Sequence, residues 1–420
     1  MKITIVTWGS SGDIVPYIAL SLGLQHAGHT VQLATYSQHQ EIVNSYGIKC
    51  VPIDLNVKEI EYPELFIHST LRTIIYQSRL LQLYKEKVLP ECWRICQDTE
   101  AIIFGSDAHP IYEIVEKLGI PSYCAFAQPL HQTYAFPHPY MPCRFDLGGI
   151  YNWLSYPFFD QLSWQFFRKS LNEWRGKSLN LSSLSHWVGI VRRMHQQQIP
   201  CLYSYSPSVL PKPSDWPDWI HVTGYWFLDR PADWQAPTNL VNFLSAGTPP
   251  VYITNNKNLD LLTKEAVIEV LALTGQRIIV QSLDDDAELP DEVFNIKQWI
   301  PHEWLLPQVA AIVHHGGCGT TMSSLRAGVP TIIIPSITDQ FFWGNRVAKL
   351  GLGPISILRK QFSAKRLAAA ILAAISDKKM QDCAAAMGKL IQAEKGVMLA
   401  VEAFHHHLPS NLKPLTTSVF

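Results

Sequence analysis

The residues whose chemistry is plainest lie between His314 and Gln340. They are His314-His315-Gly316-Gly317-Cys318-Gly319-Thr320-Thr321, then Leu325-Arg326-Ala327-Gly328-Val329-Pro330, an apolar run, and Asp339-Gln340. Residues 309–313 predict a buried strand that the glycines cannot extend, and the hydroxyls of Thr320 and Thr321 are placed to cap the helix that follows. Strand, glycine-rich turn and helix start make an anion site. The first N–H groups of a helix carry partial positive charge, and Gly317 and Gly319 let a phosphate reach the backbone. His315 adds a donor at the same turn. Many such turns only pack a helix against a sheet. Here a second apolar run, 331–334, ends at Pro335 and delivers Asp339 and Gln340 to the same sheet edge, where they can grip sugar hydroxyls beside a diphosphate.

A second strand, turn and helix start opens the chain: residues 2–7, then Trp8-Gly9-Ser10-Ser11-Gly12-Asp13. On residue physics alone, Asp13 reads as a first-turn aspartate that complements the helix dipole. Asp107, just after an apolar run at 101–104, reads as a loop cap or as a second acid. Asp284-Asp285-Asp286 reads as a charged turn. His405-His406-His407 occupy successive helix positions that point three ways, so neither run is a ready metal site. Neither a phosphate-binding Gly-x-x-x-x-Gly-Lys-Ser/Thr loop nor a Gly-x-Ser-x-Gly elbow occurs.

Two domains must position these groups, because 420 residues exceed one ordinary core. With 47% hydrophobic residues and 34 Lys plus Arg against 35 Asp plus Glu, composition describes a globular chain with no basic face for nucleic acid. Eight scattered cysteines without a Cys-x-x-Cys pair suit a reducing cytoplasm. Met1 leads straight into a strand, so no targeting or spanning segment is expected. A cytoplasmic protein, with peripheral membrane contact left open, is the expectation.

Along the chain, Ile14, Ile18 and Leu22 stripe a helix that ends at Gly28, and 31–35 supplies the next strand. Strand, helix, strand predicts a right-handed crossover in a parallel sheet. Residues 57–97 read as helical, and 101–104 and 122–126 as strands. The aromatic-rich segment 134–174 reads as a loop followed by long helices, with some rings facing an apolar pocket or a bilayer surface. Residues 207–233 read as a linker. The pattern then restarts with strands at 250–254 and 277–281 around a helix at 263–273. It closes with a helix at 363–376 capped by Ser363, and a last helix from 379 past 397 whose end, 400–407, returns to the first domain.

Trp299-Ile300-Pro301-His302, the His315 turn, Ala327-Gly328-Val329-Pro330 and Asp339-Gln340 together resemble the donor-binding signature of family 1 glycosyltransferases, which use nucleotide sugars on a GT-B fold. The sterol glucosyltransferase-like and glycopeptide-antibiotic branch shares Pro301-His302-Glu303-Trp304-Leu305-Leu306-Pro307 and Asp339-Gln340-Phe341-Phe342-Trp343-Gly344 nearly word for word. The resemblance runs from Met1 to about Phe404. It implies an α/β, GT-B architecture of two Rossmann-like domains facing across a cleft. These would be 1–215 for the acceptor, 216–398 for the nucleotide sugar, and 399–420 as a helix crossing back and a tail.

The function so implied is inverting transfer of a hexose, glucose expected, from a UDP-sugar to a hydroxyl of a hydrophobic acceptor such as a sterol, lipid, polyketide or polyphenol. The dTDP donors stay open, as does the oligomeric state. Gly9-Ser10-Ser11-Gly12-Asp13-Ile14-Val15-Pro16 is similar to the branch motif whose Asp is the base, which assigns that role to Asp13; Ser11 stands where the branch usually has Arg. The resemblance gives His315, Gly317, Gly319 and Thr320 to the phosphates, Trp299 to the base, Asp339 and Gln340 to the sugar, and His302 to the donor site without a finer role. Asp107, His131 and Phe136 are candidate acceptor contacts, and Ser10, Thr254 and Asn255 candidate phosphate contacts. No cofactor and no metal are expected. The wider family's ribose-gripping Glu is replaced by Ser323, and Thr254-Asn255-Asn256-Lys257-Asn258 replaces a Gly-Ser-rich turn. That turn keeps one alternative, a nucleotide-sugar-binding protein without transfer; a nucleotide-sugar epimerase, which shares the architecture, is a third reading.

Overall fold

Short, largely apolar strands alternate with helices along the chain, and a strand buried on both faces sits between two helical layers. In the computed structural model, which describes residues 1–54, 83–141, 147–231, 233–254, 262–281, 283, 289–337 and 339–412, these strands form two parallel sheets. The first comprises β1 (Lys2–Val6), β2 (Thr30–Tyr36), β3 (Lys49–Ile53), β4 (Ala101–Phe104), β5 (Ser122–Phe126), β6 (Cys201–Tyr203) and β7 (Ile220–Val222), in the order β3-β2-β1-β4-β5-β6-β7. The second comprises β8 (Val251–Ile253), β9 (Ile278–Gln281), β10 (Val293–Ile296), β11 (Ala311–His314) and β12 (Thr331–Ile333), in the order β10-β9-β8-β11-β12. Every pairing is parallel; Val6, for example, lies opposite Ala34 and Phe104. Because β7 pairs with β6, the first lobe's sheet continues past residue 215.

The first helix, α1 (Ser11–His26), follows β1 directly. Gly28 stops it with φ +87, a left-handed turn that favours glycine. The expected single last helix is in fact two, Lys378–Ala393 and Gly396–His407. The break lies where the chain meets the linker: a Cβ on Gly396 would stand 2.6 Å from Tyr225 O. Beyond it the Gly396–His407 helix crosses to the first lobe, and Ala400, Val401 and Phe404 share a buried core with Ile18 and Leu24. The lobes also join directly. Tyr205 meets Trp343 edge-on, Phe136 meets Phe342, and Arg346 Nε donates to Val209 O at 2.6 Å.

Residues 127–141 are irregular, and Gly149–Trp174 forms one long helix. Its inner side buries Tyr156, Trp164 and Trp174. Ile150, Leu154, Phe158, Leu162 and Phe166, spaced by four, are exposed in a row, Ile150 to 74% and Phe158 to 61%. Its C-terminal end is tied down by a buried charge cluster. Arg175 pairs with Glu113 and, at 2.9 Å, with Glu116; Arg193 pairs with Glu113 at 2.8 Å and with Glu116. Removing Glu113 leaves the buried Arg175 guanidinium with one carboxylate, the partly exposed Glu116, in place of two. Glu113→Ala is therefore expected to cost about 3 kcal/mol, the low end for a broken buried pair, read as a lower urea midpoint; a loss under about 1 kcal/mol would show the cluster to be dispensable. Of the expected helix at 57–97, residues 57–82 lie outside the described residues, as do Asn255 and Asp284-Asp285-Asp286; Leu89–Ile95 is helical.

Candidate active site

In parallel sheets of this kind the loops after the strands gather at one edge, and helices start there. β1 and β4 end side by side and feed Trp8 to Asp13 and Ser106-Asp107, while β11 feeds the glycine turn. The starts of α1 and of the cradle helix, Cys318–Ala327, meet across the gap between the lobes. A Cβ placed on Gly319 would lie 3.3 Å from Gly12 O and 2.9 Å from Tyr225 Oη. Between them is a narrow cavity of about 20 Å³ lined by Asp13, Asp107, Tyr17, Gln128, Tyr225 and Gly319, among others. Two helix N-termini thus direct their positive ends at one point.

Asp13 takes the capping part anticipated for it. It completes a capping box with Ser10, whose N and Oγ donate to Asp13 Oδ2 at 2.8 and 2.7 Å. Both bonds fall on Oδ2, which leaves Oδ1 for a substrate hydroxyl. Gly9, at φ +134, makes room, since a Cβ there would lie 2.6 Å from Oδ2. Asp13 is exposed by surface area, yet atoms of both lobes crowd around it. Loss of hydration raises its pKa, against the Ser10 hydrogen bonds and the charge of His39, which lower it. Ser10 Oγ, a candidate phosphate contact, gives its proton to Asp13.

Asp107 shares the cavity. Its pKa is raised to about 7, first by loss of hydration and then by the charges of Asp13 and Asp339. Below that pH it is protonated and neutral; above it, a second carboxylate faces a cradle built for an anion. Donor kcat/KM is therefore expected to fall by roughly ten-fold as pH rises through this pKa, the effect of one like charge at an effective dielectric of about 20. Asp107→Asn should flatten that limb of the pH profile. A limb that survives the substitution belongs to another group.

On the facing lobe the glycine turn is as tight as the spacing suggested. Gly316 adopts φ +92, and a Cβ there would meet Ile333 Cγ2 at 2.7 Å and Gln340 O at 3.1 Å, so β12 and the Asp339-Gln340 pair adjoin the turn. The capping expectation for Thr320 and Thr321 is corrected. The N-cap is Gly317, without a side-chain cap bond, and Thr321 Oγ1 donates back to Gly317 O at 2.8 Å, inside the helix. The first amides of the cradle helix are thereby left to face the cleft. His315 folds over the turn, with Nε2 2.5 Å from where a Gly317 Cβ would be, and burial lowers its pKa to about 4, so the ring is neutral near pH 7. His302 is lowered likewise, to about 4. Asp339 and Gln340 are buried, and Gln340 Oε1 accepts from Ser336 N and Ile337 N, leaving its Nε2 as the polar group for a ligand. Thr254 follows β8 directly, buried, and its Oγ1 has no partner among the described residues. Trp299 stands about half exposed after β10.

Two acceptor candidates do not line this cavity. His131 Nδ1 lies 2.6 Å from Tyr203 Oη, which also accepts from the backbone N–H of Leu130 and His131; burial lowers the imidazole pKa to about 3. It is a neutral strut between Tyr203, Trp216 and Trp219. Phe136 sits between Trp216 and Phe342, where the lobes meet. Tyr17, Gln128, Ser106 and Tyr225 do line the cavity and were not singled out from sequence. Ser106 and Gln128 follow β4 and β5 and bond to each other at 3.1 Å, so the strand-end rule could have found them.

The N-terminal domain of glycosyltransferase family 28 matches residues 3–136, and the erythromycin biosynthesis protein CIII-like C-terminal domain matches residues 265–395. The sterol 3-beta-glucosyltransferases of Sclerotinia sclerotiorum and Emericella nidulans are each 35% identical over 97% of the chain. The chain spans 29% and 30% of their lengths, less than a third of the curated relatives it matches. Among solved structures, the glycotransferase of kitacinnamycin superposes with a TM-score of 0.71 at 20% identity, covering 97% of this chain and 99% of that one. CalG4, the calicheamicin glycosyltransferase, does so with 0.66 at 15% identity, covering 97% and 98%. Two matched glycosyltransferase domains in chain order, on two facing Rossmann-like sheets, identify the chain as a member of the family 1 glycosyltransferases of GT-B fold.

Proposed function

We propose that the protein transfers a hexose, with inversion, from a UDP-sugar to the hydroxyl of a sterol-like acceptor. One observation carries the reading: Asp13 and the amide-lined start of the cradle helix at Gly319 open into the same narrow cavity from opposite lobes. A base stands where an acceptor hydroxyl would enter, and an anion cradle where a leaving diphosphate would sit. The acceptor oxygen attacks the anomeric carbon and gives its proton to Asp13, while the bond from that carbon to the phosphate oxygen breaks on the opposite face. The electron pair leaves with the nucleoside diphosphate. Amides of the cradle helix and neutral His315 offset the charge that builds there, and Asp339 and Gln340 hold the hexose hydroxyls. The two helix N-termini supply the positive field, so the mechanism invokes no metal. Admitting a hexose to a cavity this small requires the lobes to part.

The relatives' printed activity supports glucose as the sugar and a sterol as the acceptor. The exposed apolar row on the Gly149–Trp174 helix supports a protein that collects its acceptor at a membrane surface. No helix among the described residues is long and apolar enough to cross one. The test is incubation with UDP-glucose and a sterol delivered in vesicles or in cyclodextrin, followed by mass spectrometry. A steryl hexoside is expected, formed faster from vesicles. Donor binding without product, or a changed sugar nucleotide without acceptor, would replace this reading by the binding protein or the epimerase.

A further inference from the structure

Beside the cradle lies a second cavity, of about 330 Å³, lined by Glu303, Ser323, Arg326, Gln392 and Phe227 among others. Gly319, Ser323 and Arg326 fall on one face of the cradle helix, so this cavity continues along the helix from the cleft. Four helical residues advance about 6 Å, roughly the step from a diphosphate to the ribose attached to it. The cavity wall combines an aromatic ring with a few convergent polar groups, the character of a small-molecule site. Arg326 is held over the Phe227 ring, its Cζ 4.3 Å from the centroid. Glu303 is fixed from behind: Arg230 N donates to its Oε1 at 2.9 Å, and Arg230 Nε lies 3.8 Å from the same oxygen. Oε2 remains for a ligand. A ribose offers two hydroxyl donors, and an ionised carboxylate is an acceptor only, so the two match. The Ser323 side chain on the same wall is shorter and uncharged.

We propose that Glu303 is a specificity residue for the donor: it accepts the 2′-hydroxyl of the nucleoside and thereby selects ribonucleoside over 2′-deoxyribonucleoside diphosphates. The proposal rests on the donor reading above. Two ligands that differ only in that hydroxyl, UDP and 2′-deoxy-UDP, test it by calorimetric titration. The unmodified protein should bind UDP tighter by about ten-fold or more, the usual worth of a hydrogen bond to a charged acceptor. Glu303→Ala should weaken UDP to the level of 2′-deoxy-UDP while leaving 2′-deoxy-UDP unchanged, which also shows that the variant is folded. Glu303→Gln keeps an acceptor for Arg230 N and loses the charge, and should reduce the ratio by roughly five-fold. A ratio near one in the unmodified protein, or a ratio unmoved in both variants, overturns the assignment and leaves the donor reading intact. Failure of both nucleotides to bind removes the donor reading and this proposal with it.

Discussion

Asp13→Ala is expected to lower kcat by about 10²–10⁴ with donor and acceptor saturating, the range for removal of a general base. An alcohol is a poor nucleophile, and Asp13 is the carboxylate that both stands at a helix start and faces the cradle from the other lobe. Its elevated pKa suits the task, since a base nearer the working pH is a better proton acceptor. The substitution also removes a capping box, worth about 1 kcal/mol, so stability must be measured alongside turnover. Asp13→Asn separates the two effects: its amide oxygen can still accept from Ser10 N, yet it cannot take a proton. Both variants should lose kcat to a similar degree, with the Asn variant closer to normal in denaturation midpoint and donor KM changed little in either. Normal turnover in a folded variant would remove Asp13 as the base and leave it a cap alone.

Sequence made the backbone features of the site legible and left its side-chain neighbours obscure. Apolar runs at 101–104 and 122–126 coincide with β4 and β5 because a strand buried on both faces admits little else. The turn at Gly316 was legible for a similar reason, as its left-handed conformation and close contact with Ile333 demand the residue found there. Thr320 and Thr321 were misjudged by one turn, since glycine can serve as an N-cap and the hydroxyls then fall inside the helix. His131 was a candidate acceptor contact, but the fold turns its ring inward onto Tyr203. Tyr225 gave no signal at all. It comes from the linker and reaches the cleft only because the chain crosses between lobes beside Gly396. No local pattern encodes that meeting.

Gly319→Ala is expected to reduce kcat/KM by about 10²-fold, the cost of displacing reacting groups by about 1 Å. The added methyl would point into the cleft, 2.9 Å from Tyr225 Oη and 3.3 Å from Gly12 O, in the path of a phosphate approaching the helix amides. Gly319 lies within the cradle helix and has no positive φ, so alanine meets no backbone strain there. Gly319 stands in the first turn, where alanine gains less over glycine than the roughly 1 kcal/mol of a helix interior, and the crowding at Tyr225 and Gly12 O offsets that gain. Activity and stability should thus move apart, with a melting temperature little changed and turnover sharply lower. Gly176→Ala is the control, because a Cβ there meets nothing within 4 Å. It should leave kcat/KM as it was. If Gly319→Ala turns over normally, phosphate does not approach the backbone at this point, and the charge of the leaving diphosphate must be met by side chains such as His315 instead.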